Sequence, residues 1–172
     1  ITNCCQVVND NGKHCLRYGM TMPNSGFVVF KNKENILGQA WIWYDAEIKQ
    51  LTLDNIEMPT SVIEKVLKNA KNKEEFLNCV ERFCENVMQK MNQKGIQVNA
   101  VTIGLGYNKI GVELIKKYGI IKHANKLTNY LSYTDANKQT LICKNVFSNL
   151  EVVFPNKDEF KKIQENQTLL VY

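Results

Sequence analysis

Between Val98 and Ile121 the rhythm of apolar and polar positions changes in a way that predicts a buried strand, a tight turn and an amphipathic helix in immediate succession. Val98, Ala100, Val101, Ile103 and Leu105 form a β-rich apolar run too short for a helix. Gly104 and Gly106 then release the backbone, and Asn108 is a residue type that caps helices. Ile110, Leu114 and Ile115 recur at helical spacing, and Tyr118-Gly119 supplies the stop. Open α/β folds place ligands at such strand-to-helix turns.

Upstream, the alternation has the period of strands. Phe27 to Phe30 reads as a short strand, and Asn32 to Asn35 as a hairpin connection. Ile36 to Tyr44 is a second strand, with Trp41 and Trp43 on one face and Ala40 and Ile42 on the other. Leu51 to Met58 is a third, ended by Pro59, so the three form an antiparallel meander. Thr60 or Ser61 can cap the next element, and helical character runs from about Ser61 to Lys94 with a break around Asn69 to Lys73. Phe76, Val80, Phe83, Val87 and Met91 make an apolar stripe that reads as core, closed by Gly95. Later, Leu127 to Tyr133 and Thr140 to Phe147 read as paired strands, unless Asp135 caps a short helix through Lys144. Leu150 to Phe154 is strand-like, Asn156 to Asn166 helical, and Leu169 to Val171 apolar.

At 172 residues and 44% hydrophobic content the chain suits one domain with its own core. Residues 1–25 are polar, cysteine-containing and broken by turns, and are expected to pack on a domain formed by residues 26–172. The formal charge of +5 comes almost wholly from lysine, since the arginines are Arg17 and Arg82. Sequence-specific nucleic-acid binding, which favours bidentate arginine, is therefore disfavoured. No apolar run approaches a membrane span, so no membrane partner is expected. The six cysteines are too irregularly spaced for a disulfide framework. Reduced thiols and a cytoplasmic setting are expected, with Cys79, Cys84 and Cys143 acting as small apolar residues. Cys4, Cys5, His14 and Cys15 carry zinc-type donors without the C-x-x-C spacing that lets two ligands converge, so no metal is expected. A reactive thiol activated by His14 and incidental cysteine are the other readings.

The order of meander, long helix, strand, glycine turn, helix and strand resembles the GNAT acetyltransferase superfamily over roughly residues 26–145. The local likeness is Asn108 followed by E-L-I-K-K-Y-G-I. The resemblance implies an α/β fold with a GNAT-like mixed, mostly antiparallel sheet flanked by helices. It also implies an acyl-CoA-dependent N-acyltransferase that uses acetyl-CoA and a small-molecule or peptide amine acceptor. On that likeness Ile56, Met58, Gly104, Gly106 and Asn108 would hold the cofactor in a gap between splayed strands. Glu57 would be the base, and Asp54, Trp41 and Trp43 would face the acceptor. The pattern departs from the family in two places. Met58 to Lys65 lacks the glycine-rich pyrophosphate loop, and Ile115 stands where many members carry the acidic tyrosine, which leaves Tyr118 or Tyr107 for that role. Two other readings stay open. One is a non-catalytic domain that binds a protein partner through its cleft or an exposed Trp41/Trp43 face. The other is a phosphate cradle at Gly104-Leu105-Gly106, whose third glycine, Gly111, falls at the wrong spacing.

Overall fold

In the computed structural model, residues 13–106, 109–124 and 138–168 are described. The elements run α1 (Lys13–Thr21), β1 (Ser25–Asn32), β2 (Asn35–Asp45), β3 (Gln50–Leu53), α2 (Thr60–Leu67), α3 (Ala70–Gln93), β4 (Ala100–Gly104), α4 (Lys109–Tyr118), β5 (Ile120–Ile121), β6 (Gln139–Lys144), β7 (Val152–Val153) and α5 (Lys157–Thr168). The main sheet has the order β1-β2-β3-β4-β6. The β3–β4 pair is parallel and the other pairs antiparallel, as the crossover through α2 and α3 requires. The fold is thus a mixed, mostly antiparallel sheet flanked by helices.

Alternation along the strands sorts the two faces. Leu51, Leu53, Val101 and Ile103 belong to one core together with Leu77, Val80 and Cys84 of α3 and Ile110, Leu114 and Ile115 of α4. The predicted stripe of Phe76, Phe83, Val87 and Met91 packs against this core, which accounts for a helix of 24 residues built from ordinary helix formers. The predicted break lies between α2 and α3, where the Asn69 side chain accepts from the Asn72 N–H and caps the new helix. Helix α2, by contrast, starts after Pro59 without a side-chain cap, so neither Thr60 nor Ser61 serves as one.

Several expectations are corrected. Within the segment read as a turn-rich arm, Lys13 to Thr21 is helical, and its Tyr18 and Gly19 cover the tryptophan face of β2. Trp41 is 0% and Trp43 3% exposed, so the expected exposed aromatic face does not exist; Phe27 also stacks on Trp41. Cys79 is exposed, because it falls outside the inward stripe of α3, whereas Cys84 is buried. Residues through Lys144 form strand β6 against β4, which excludes the alternative helix there, and the strand ends at Lys144 rather than Phe147. The proposed strand Leu127 to Tyr133, Tyr107, Asn108, Cys4, Cys5 and the apolar tail 169–171 lie outside the described residues. His14 and Cys15 fall on α1.

Candidate functional site

The third strand of the meander is shorter than its sequence suggests, and the way it ends makes the site. β3 and β4 pair in parallel from Gln50↔Ala100 to Leu53↔Ile103, and there the ladder stops. Beyond it the chain after β3 stays with β2. The Asp54 N–H donates to the Trp41 carbonyl at 2.9 Å, and Gln39 and Glu57 exchange both backbone bonds at 2.8 and 2.9 Å. On the other side Gly104 pairs with Gln139, and the Leu105 N–H donates to the Lys138 carbonyl at 3.0 Å. Two neighbouring parallel strands thus part because each follows its outer partner. The result is a fork between residues 54–58 and residues 104–106.

The closed end of the fork is locked by a seam of polar side chains. The Gln50 amide nitrogen lies 2.9–3.0 Å from Thr52 Oγ1, Thr102 Oγ1 and Gln139 Oε1, and the Thr102 hydroxyl lies 2.9 Å from both Thr52 Oγ1 and Gln139 Oε1. All four residues are at most 4% exposed. Buried polar groups that satisfy one another specify a unique arrangement, since any slip of register would leave each of them desolvated and unpaired. The sequence reading missed this seam. Its signal is there in the alternation of Gln50 and Thr52 with Leu51 and Leu53, the mark of a strand buried on both faces whose second face is polar.

The open end brings together several of the predicted residues. Ile56 and Met58 are buried in the main core, Asp54 is 1% and Asn55 5% exposed, and Glu57 is half-buried. The Met58 N–H makes no backbone hydrogen bond among the described residues, whereas that of Glu57 is taken by Gln39. Asn55 reaches across the fork. A Cβ placed on Gly106, whose φ is +53°, would lie 2.6 Å from Asn55 Nδ2, so glycine there serves both the left-handed turn and the close approach.

Tyr118 is not brought to this end. It stands at the far end of α4, a helix about 15 Å long, and its hydroxyl donates to Glu81 Oε2 of α3 at 2.9 Å. Burial, with the Glu81 carboxylate alongside, pushes its pKa up to about 12. Lys117 Nζ donates to the same Glu81 oxygen and to Asn78 Oδ1, each at 2.9 Å. A surface depression along α3, lined by Glu75, Cys79 and Arg82 among others, includes none of the fork residues. Among the described residues no group of three or more His, Cys, Asp or Glu could hold a metal, and no helix is long and apolar enough to cross a membrane.

No protein-family model matches the chain, and no curated protein matches it. Among solved structures it is similar to a provisionally named acetyltransferase from T. thermophilus, at 9% identity and TM-score 0.42, covering 95% of this chain and 75% of that one. A second provisionally named acetyltransferase is 10% identical with TM-score 0.38, covering 99% and 80% respectively. Likenesses this slight carry no argument about activity, and the functional reading rests on the fork.

Proposed function

We propose that the chain is a divergent acyl-CoA-dependent N-acyltransferase, transferring an acetyl group from acetyl-CoA to an amine. The observation that carries this reading is the parting of β3 and β4 after Leu53 and Ile103. A thioester arm laid in that opening would add to the sheet as a pseudo-strand, taking hydrogen bonds from backbone groups that neither neighbour uses. The Met58 N–H is one such donor. Ile56, Gly104 and Gly106 complete the cofactor wall in this reading. Glu57 lies at the mouth as a half-buried carboxylate. The amine nitrogen attacks the thioester carbonyl, Glu57 takes its proton, and the oxyanion is held by backbone N–H groups. The intermediate then collapses, the C–S bond breaks, and CoA leaves as a thiolate that takes a proton from water. Asp54, 1% exposed, is assigned to the acceptor side in this reading. Trp41 and Trp43, buried beneath α1, support that side of the sheet without touching the acceptor in this reading. Tyr118, held by Glu81 away from the mouth, is given no part in the chemistry.

The second reading, a non-catalytic domain of the same architecture that binds a protein partner, is favoured by one specific observation. The Asn55 side chain spans the fork against Gly106. A titration of thermal stability with acetyl-CoA and CoA separates the two. A ligand at one hundred times its Kd stabilises the folded chain by about 2.7 kcal/mol, which for a protein of this size raises Tm by about 5–10 °C. Under the enzyme reading Glu57→Gln keeps this shift while lowering acetyl transfer to amines by about 10²–10⁴-fold. Absence of a shift at millimolar ligand sinks the enzyme reading and leaves the binding domain.

A further inference from the structure

The end of the sheet away from the fork gathers three loops into one surface. The Asn99 N–H donates to the Lys49 carbonyl at 2.7 Å, and the Asn145 N–H donates to the Asn99 carbonyl at 2.9 Å. The Asn145 amide also donates to the Val98 carbonyl at 3.2 Å, and the Tyr44 hydroxyl to the Gln97 carbonyl at 2.8 Å. The turns at 45–48 and 145–148 are held by their own side chains. Asp45 Oδ1 accepts from the Glu47 and Ile48 N–H groups, and Asn145 Oδ1 accepts from Phe147 N–H. These braced loops present Ile48 at 40%, Ile96 at 42%, Val146 at 90% and Phe147 at 70% exposure. Four large apolar side chains on bonded loops at one end are more than the scatter of single exposed residues that a surface normally carries.

Lys94 and Lys144 are exposed on two of these loops and Lys49 is half-buried on the third; the acids on the three loops themselves are Asp45 and Glu47. Asp45 accepts from two N–H groups of its own turn, and the three lysines outnumber the two acids. We propose that this end of the molecule docks on an anionic lipid surface. A bilayer fits these features better than a protein partner does. The apolar groups stand on three separate loops, and a membrane interface accepts separate apolar tips without a matching shape. The cations are lysines, point charges on long stems suited to diffuse attraction by acidic headgroups while their stems stay apolar. The whole chain, at +5, is attracted in the same sense. This surface stands independently of the acyltransferase reading.

Co-sedimentation of the full chain with vesicles tests it. The chain is expected to pellet with phosphatidylcholine vesicles containing phosphatidylserine, to do so less as salt is raised, and not to pellet with phosphatidylcholine alone. Phe147→Asp and the pair Lys94→Glu/Lys144→Glu should each cut the bound fraction about tenfold or more. As substitutions of exposed side chains, both should leave Tm close to that of the parent. The proposal is overturned by absence of binding to anionic vesicles, by equal binding to neutral ones, or by full binding of Phe147→Asp. Sedimentation equilibrium gives the remaining outcome. A dimer abolished by Phe147→Asp, without any vesicle binding, would assign the surface to a second copy of the chain and overturn the lipid proposal too.

Discussion

Gly106 shows how much one residue decides at the fork. Its φ of +53° is a conformation that costs an L-residue about 1–2 kcal/mol, and a methyl group there would press on Asn55. Gly106→Ala is therefore expected to destabilise the chain by about 2–4 kcal/mol, the strain plus a steric displacement of Asn55. Urea unfolding checks this, and an unchanged midpoint would mean that the turn and the side chain move apart freely. That glycine was needed here could be read from the pattern, because a strand running into a helix must turn sharply. That Asn55 was the neighbour could not, because it follows β3 and is connected to Gly106 only through the α2–α3 crossover and β4. Trp41 and Trp43 teach the same lesson in reverse. Their common face followed from alternation, yet their exposure depended on α1, whose residues had read as a turn-rich arm.

At the scale of elements, α3 and α4 are fastened by charge as well as by their apolar stripes. Glu113 meets Lys73 at 2.9 Å and Lys116 at 2.7 Å, and Glu81 meets Lys117 and the Tyr118 hydroxyl. The bond from Lys117 holds the Glu81 carboxyl below its ordinary range, against the opposing effect of burial and with help from Tyr118. Burial works against the charge on Lys117, but its bonds to Glu81 and Tyr118 outweigh it and raise that pKa. A carboxylate depressed on folding stabilises the chain above its unfolded pKa and loses that contribution as pH falls through the folded value. Tyr118 and Lys117, both raised, contribute fully below their unfolded values and lose that contribution as pH rises through the folded ones. For Tyr118 the loss runs from the ordinary value of 10.0 to about 12. Plots of Tm against pH should accordingly fall off on both flanks. Glu81→Gln should flatten the acid flank and Tyr118→Phe the alkaline one; parallel curves for parent and variants would show that the clasp does not titrate with folding. The stripe that seats α3 was legible from spacing alone. The clasp was not, since Glu81 and Lys117 look like ordinary surface residues until two helices are laid side by side.

For the molecule as a whole, one core joins the sheet to α2, α3, α4 and α5, and the tryptophans lie on the opposite side of the same sheet. Loss of the sheet should expose everything at once. Tryptophan emission is expected to shift to the red in the same denaturant range in which helical circular dichroism is lost. An earlier fluorescence transition would show that α1 and the face beneath it open separately from the α3 core. The sequence by itself determined most strands and helices, the meander, the break before α3 and the apolar faces of the helices, because these depend on periodicities of a few residues. It also placed the glycine turn where the site candidates converge. Only the tertiary structure decided where the β3–β4 ladder ends, that a polar seam locks it, that α1 buries the tryptophans, and that three loops share one exposed end. Each of these is a hydrogen bond or a contact between residues distant in the chain, and such pairings leave no periodic trace in either partner's neighbourhood.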